Sequence, residues 1–154
     1  MLNKLSSRST AETYILIDEG FDELEVIQFL HRFRQDGLHI KTISLFNKLV
    51  FSHHGVGLKA DLSLDEAPTD PSPATLLILP TGGHNGDNIR RNANVRSLLQ
   101  TFNNNQAKVA VTGNDETLID DLYRSGTTQT HKPNTGQELA EFVDVLASRV
   151  AFAW

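Results

Sequence analysis

Two turns carry the groups in this chain that could do chemistry. The first is Leu79-Pro-Thr-Gly-Gly-His-Asn-Gly86, hanging off the apolar run Thr75-Leu-Leu-Ile-Leu79. Gly82 and Gly83 can follow backbone paths that other residues resist, and backbone N–H groups in such a turn can hold an anion or a carbonyl oxygen. The second is Thr112-Gly-Asn-Asp115, which follows Lys108-Val-Ala-Val111 and places a hydroxyl where a strand hands over to a helix. A threonine hydroxyl stays protonated near neutrality and attacks only with a general base in contact. No sequence neighbour of Thr112 clearly supplies one, and Asp115 and Glu116 would repel an anion there while stabilising the helix start. Thr112 therefore reads as a capping or pocket-lining residue. His53, His54, His84 and His131 raise the question of a metal. Adjacent histidines in an extended segment point to opposite faces and no carboxylate spacing completes a ligand set, so neither a metal site nor a cofactor is expected. Solvated loop histidines are the expectation, with His84 the one placed to face a pocket.

The elements that must position these turns follow from apolar patterning. Thr13-Tyr-Ile-Leu-Ile17 is a continuous apolar run, the pattern of a strand buried on both faces of a parallel sheet. Asp22 is placed to cap a helix that carries Val26, Ile27, Leu30 and Phe33 on one face and ends at Gly37. Glu25 falls in its first turn, where acidic residues are favoured. Leu38 to Phe46 reads as a second strand. Lys48 to Ala60 reads as a hairpin or an extended excursion, and 68–73, with three prolines, as a surface loop. The run before Leu79 is a middle strand, Asn88 to Phe102 one helix with Val95, Leu98, Leu99 and Phe102 buried, and Asn103 to Gln106 a loop. Lys108–Val111 is the next strand, followed by a helix with Leu118, Ile119 and Leu122 that Gly126 stops. A last helix carries Leu139, Phe142, Val143 and Leu146, with Thr135 or Asn134 as its cap. Strands alternating with helices predict an α/β fold with a mostly parallel sheet and helices on both faces.

Composition narrows the classes of function. At 154 residues, 39% hydrophobic and 21% charged, the chain suits one globular domain, here 13–154 behind a polar N-terminal tail at 1–12. A net charge of −5 without a basic patch argues against nucleic acid and anionic membranes. No apolar run is long enough to span a bilayer, and the first ten residues lack the apolar core of a signal peptide, which points to the cytoplasm. The chain has no cysteine, so disulfides, thiolate metal sites and a cysteine nucleophile are excluded together.

Three pieces then line up in order: Ile17-Asp-Glu-Gly-Phe-Asp-Glu-Leu-Glu25, Leu79-Pro-Thr-Gly-Gly83 and Val109-Ala-Val-Thr-Gly113. With Leu58-Lys-Ala-Asp-Leu-Ser-Leu-Asp-Glu66 and Pro133-Asn-Thr-Gly-Gln-Glu-Leu-Ala-Glu-Phe142, this resembles the ThiJ/PfpI superfamily of class I glutamine amidotransferase-like domains, from Thr13 to Ala147. The resemblance implies a flavodoxin-like (Rossmann-like) three-layer sandwich, usually a homodimer, of a family that includes deglycases, intracellular proteases and stress chaperones. It also implies a cysteine on a strand-to-helix elbow, a glutamate that tunes it, and backbone N–H groups from a Pro-Gly-Gly turn that hold an oxyanion.

This sequence keeps that scaffold and departs at the chemistry. The glutamate falls on Glu25. The elbow falls on Thr112, or on Val111 if the Thr-Gly pair is aligned instead; neither is cysteine. Thr81 replaces the first turn glycine, and Gly82 holds the second, so one oxyanion donor is expected to survive. His131 lies where a family histidine would fall, but the register that makes it part of the turn before the last helix explains Pro133 better. That register implies a domain shortened between the elbow helix and the C-terminal helix. The site set is then Glu25 and Thr112 as remnants of catalysis, with Thr81, Gly82, Gly83, His84 and Gly113 placed to bind a ligand. The expectation is a degenerate site in a small-molecule-sensing, regulatory or protein-binding homodimer; the alternative is a hydrolase, amidase or deglycase using a site without cysteine.

Overall fold

A computed structural model describes residues 11–113, 118, 120 and 130–152. Strand β1 (Glu12–Ile17) leads into helix α1 (Glu23–Gln35) and strand β2 (His39–Ser44). Strands β3 (Leu49–Phe51) and β4 (Gly57–Lys59) pair antiparallel as a hairpin apart from the main sheet. After β5 (Leu62–Ser63) and a 3-10 turn at Leu64–Glu66 come β6 (Leu76–Leu79), α2 (Asn85–Arg91), α3 (Ala93–Asn104) and β7 (Lys108–Val111). Strand β8 (Thr130–His131) and helix α4 (Leu139–Ala151) close the chain.

The main sheet runs β5-β2-β1-β6-β7-β8, and each of its pairings is parallel. Both faces of the central strands are therefore covered, which is why they read as unbroken apolar runs. On one face Ile15, Ile17 and Ile78 pack with Phe29 and Phe33 of α1 and Phe142, Val143 and Leu146 of α4. On the other, Leu16, Leu77, Leu79 and Val109 pack with Val95, Leu98 and Phe102 of α3 and with Leu118. These three layers are the flavodoxin-like sandwich that the sequence implies. The crossover direction reverses between β1 and β6, and ligands of open α/β sheets gather at the strand ends beside such a reversal.

Local rules explain most boundaries. Asp22 caps α1, its Oδ1 accepting from the N–H groups of Leu24 at 3.0 Å and Glu25 at 3.3 Å. Arg32 ties α1 to α4 through Asp144 at 2.8 Å. Several expectations are corrected. Ile27 is 47% exposed, and Phe29, fully buried, takes its place in the core stripe of α1. The single helix expected over Asn88 to Phe102 is two helices. Asn92 leaves helical geometry and caps α3, accepting from the N–H groups of Asn94 at 2.9 Å and Val95 at 3.3 Å. Asn134 and Thr135 do not cap α4. Glu138 holds that position without a side-chain bond, and the Asn134 N–H is taken by Gln137 Oε1 at 3.0 Å. The rest of the elbow helix with Ile119 and Leu122, the stop at Gly126 and the expected shortening of the chain lie outside the described residues.

Asn85 was not singled out by sequence, yet it is fully buried and ties the carboxyl ends of the two central strands together. Its Oδ1 accepts the Asp18 N–H at 2.7 Å, and its Nδ2 donates to Leu16 O at 3.0 Å and Pro80 O at 2.8 Å. Removing it takes this partner from two buried carbonyls and a half-buried N–H, at roughly 1–3 kcal/mol for each group left unsatisfied. Asn85→Ala is expected to lower unfolding free energy by more than about 2 kcal/mol in urea titrations; a loss within the noise of that measurement would show that water replaces the amide.

Candidate functional site

The site forms where the ends of β6 and β7 meet the first turn of α1. Past β6, Gly83 adopts φ +58°, and a Cβ there would lie 2.1 Å from Gly20 O. The loop can thus descend onto the β1–α1 turn, where His84 N–H donates to Gly20 O at 2.9 Å. At Gly82 a Cβ would stand 2.7 Å from Asp22 Cβ, so the missing side chain brings this backbone against α1. Gly113 makes the same concession on the other side, where a Cβ would lie 2.4 Å from Thr81 Oγ1.

Glu25 fills the junction and is 8% exposed. Its Oε1 accepts the Gly82 N–H at 3.0 Å, and its Oε2 accepts the Thr112 hydroxyl at 2.9 Å. Thr112 Oγ1 in turn accepts the Thr81 N–H at 2.9 Å and lies 3.3 Å from Thr81 Oγ1. Val111 ends β7 with its side chain in the core, and Thr112 follows it with its hydroxyl on Glu25. Burial pushes the Glu25 carboxyl above its ordinary value, the Gly82 and Thr112 hydrogen bonds pull it back, and nearby Asp22 adds to the rise.

The structure therefore brings Glu25, Thr81, Gly82, Thr112 and Gly113 together and sets the histidines apart. His84 leans its ring on Gly20 and on His53, with ring centroids 5.3 Å apart. His53 and His54 do not diverge to opposite faces as an extended segment would require. They sit in the hairpin turn with centroids 4.9 Å apart, and His54 Nδ1 lies 2.8 Å from Glu23 Oε1. Among the described residues no group of three or more His, Cys, Asp and Glu could hold a metal ion. His131 belongs to β8, paired with Ala110, rather than to the turn before α4; its Nδ1 lies 3.1 Å from Arg149 Nη1. Burial, Arg149 and Lys108 lower its pKa.

Glu25 is a base in contact with Thr112, which sequence adjacency could not reveal because 87 residues separate them. The same carboxylate also occupies the Gly82 N–H, the donor that an oxyanion would need. What this arrangement does chemically is hold itself closed.

A strand order in which the chain doubles back beside β1, with an elbow after β7, defines a doubly wound α/β domain with its cleft at the carboxyl ends of the strands. The chain belongs to the DJ-1/PfpI family, whose sequence profile matches residues 11–150. It is 35% identical over 68 residues to Deglycase TK1284 of Thermococcus kodakarensis, a match that spans 44% of this chain and 40% of that relative. Its fold is similar to DJ-1 superfamily protein STM1931 of Salmonella typhimurium, at 17% identity and TM-score 0.71 over 92% of this chain and 90% of that one. Drosophila melanogaster DJ-1beta matches with the same TM-score of 0.71 and coverage of 92% and 90%, at 15% identity. A two-domain protein of Anabaena variabilis with DJ-1/ThiJ/PfpI-like and ferritin-like domains matches at 18% identity and TM-score 0.71, over 92% of this chain and 48% of its own.

A raised carboxyl pKa has a sign. The folded protein holds the Glu25 proton more tightly than the unfolded chain does, so Glu25's contribution is complete below its ordinary value of 4.5 and is lost as pH rises through the higher folded value. Urea titrations over the acidic range should show this decline in the wild type and a flatter profile in Glu25→Gln. Parallel profiles would mean that the carboxyl does not titrate differently on folding.

Proposed function

We propose that this chain is a non-catalytic DJ-1/PfpI domain, a small-molecule-sensing, regulatory or protein-binding module that acts as a cytoplasmic homodimer. The observation that carries this reading is the double engagement of Glu25. One carboxylate holds both the elbow hydroxyl and the Gly82 N–H, leaving neither a free nucleophile nor a free oxyanion donor. With no cysteine in the chain, the family's thiol route is closed as well. An absence of cysteine also suits the reducing cytoplasm, where nothing is gained from disulfides.

The dimer reading is supported by apolar groups that α1 and the hairpin hold in water. Leu24 is 72% exposed and Ile27 47%, three residues apart on one face of α1. Phe51 at 46% and Val56 at 48% lie on the hairpin, which is tied to the start of α1 by His53 N–H to Phe21 O at 2.7 Å. A patch of this kind is what an interface covers. Sedimentation of the wild type should give a dimer, and Leu24→Asp with Ile27→Asp a folded monomer; a monomeric wild type would remove this part of the reading.

The second reading is a hydrolase of the amidase or deglycase type. It is favoured by Glu25 Oε2 standing 2.9 Å from the Thr112 hydroxyl, as a base stands to a nucleophile, and by the partial match to a deglycase. Methylglyoxal adducts and small amides separate the two. The expected result is no turnover above buffer; turnover that disappears in both Thr112→Ala and Glu25→Gln would establish the hydrolase instead.

A further inference from the structure

A cleft of about 510 Å³ opens between α3 and the segment that follows β5, beyond the carboxyl end of β2. That volume is in the range of roughly 300–1,000 Å³ found for small-molecule sites. Leu45, buried at the end of β2, forms its floor, with Leu64 and Ala67 on one wall and Leu98 on the other. Asn94, Ser97 and Thr101 line the α3 side at helical spacing, so polar groups rim an apolar bed. Phe46, 68% exposed, stands at the mouth and also walls a smaller pocket of about 180 Å³ beside Asp18 and Arg91.

We propose that this cleft binds a small organic amine, a primary ammonium group carried on a short aliphatic or aromatic body. The charge pattern selects the class. Among the described residues that line the cleft, Asp65 is the one charged side chain and none is cationic. Its carboxylate is exposed and takes a hydrogen bond from Ser63 Oγ, which leaves acceptor positions for an ammonium group. The start of α3 offers an anion nothing, because Asn92 Oδ1 already takes the N–H groups of Asn94 and Val95. A carboxylate ligand would meet like charge and no counterion. The apolar body is accommodated over the Leu45, Leu64 and Leu98 bed by the Phe46 ring, which is otherwise left to water.

Calorimetry with phenethylamine and hexylamine, against 3-phenylpropionate and hexanoate, tests this directly. Saturable binding of the amines and none of the acids is expected, with affinity about fivefold weaker in Asp65→Asn, the scale of an exposed ion pair. Ser97→Trp should fill the cleft and abolish binding with the fold intact by circular dichroism; Thr69→Trp closes it from the opposite wall if the helix variant does not fold. Thr112→Val, checked as folded by circular dichroism, should bind amines as the wild type does, which keeps this outcome separate from any turnover at the elbow. Acids that bind as well as amines, amine binding that survives both tryptophan variants or fails in Thr112→Val, or no saturable binding at all would each overturn the proposal.

Discussion

The shared engagement of one carboxylate fixes how three segments of this chain meet. Glu25 is held by Asp22 at its own backbone, by Gly82 at one oxygen and by Thr112 at the other. Those bonds cross 57 and 87 residues of sequence, so the first helix, the glycine loop and the elbow are registered against each other by a single side chain. A buried carboxylate without such donors would cost several kcal/mol of lost hydration. Here the loop and the hydroxyl replace the water, and the close approach of Gly82 and Gly113 is what lets them reach it. The junction thus engages both carboxylate oxygens of Glu25, one with the Gly82 N–H and the other with the Thr112 hydroxyl.

Asn85 does for the sheet what Glu25 does for the cleft. It joins the ends of β1 and β6 where the chain direction reverses, a place where backbone groups leave the ladder before helices begin to use them. With the amide in place, the Pro80 carbonyl and the Asp18 N–H have partners, and the loop carrying Gly82 has a fixed root. The position of the glycine turn thus depends on a residue just past it, Asn85, not on its glycines alone.

The fold was legible because burial on both faces writes strands as plain apolar runs. Ile15 to Ile17 and Leu76 to Leu79 could hardly be anything else, and Asp22 before an amphipathic stretch marks a helix start. That Glu25, Gly82 and Thr112 come together was legible by resemblance, through the order of short motifs. What stayed hidden was of two kinds. Asn92 interrupts a stretch that holds neither glycine nor proline from Ile89 to Phe102, so no breaker gave a sign of two helices. Asn85 and the Thr112–Glu25 bond are products of tertiary approach, and no local pattern encodes which distant carbonyl or carboxylate a side chain will find. His131 shows the same limit: its strand is two residues long, too short to leave an alternation to read.

Among the described residues the two outer strands of the sheet are short, Leu62–Ser63 on one side and Thr130–His131 on the other. An edge strand presents unpaired N–H and C=O groups on which a foreign strand can grow, and the hazard increases with the length of the exposed row. Beyond Ser63 the chain leaves strand geometry at once for a 3-10 turn whose Glu66 side chain takes the Ser63 N–H at 3.1 Å. At its β5 edge a parallel sheet with so apolar an interior thus ends in a row too short to template fibre growth, and its insulation against aggregation there is written into where that strand stops.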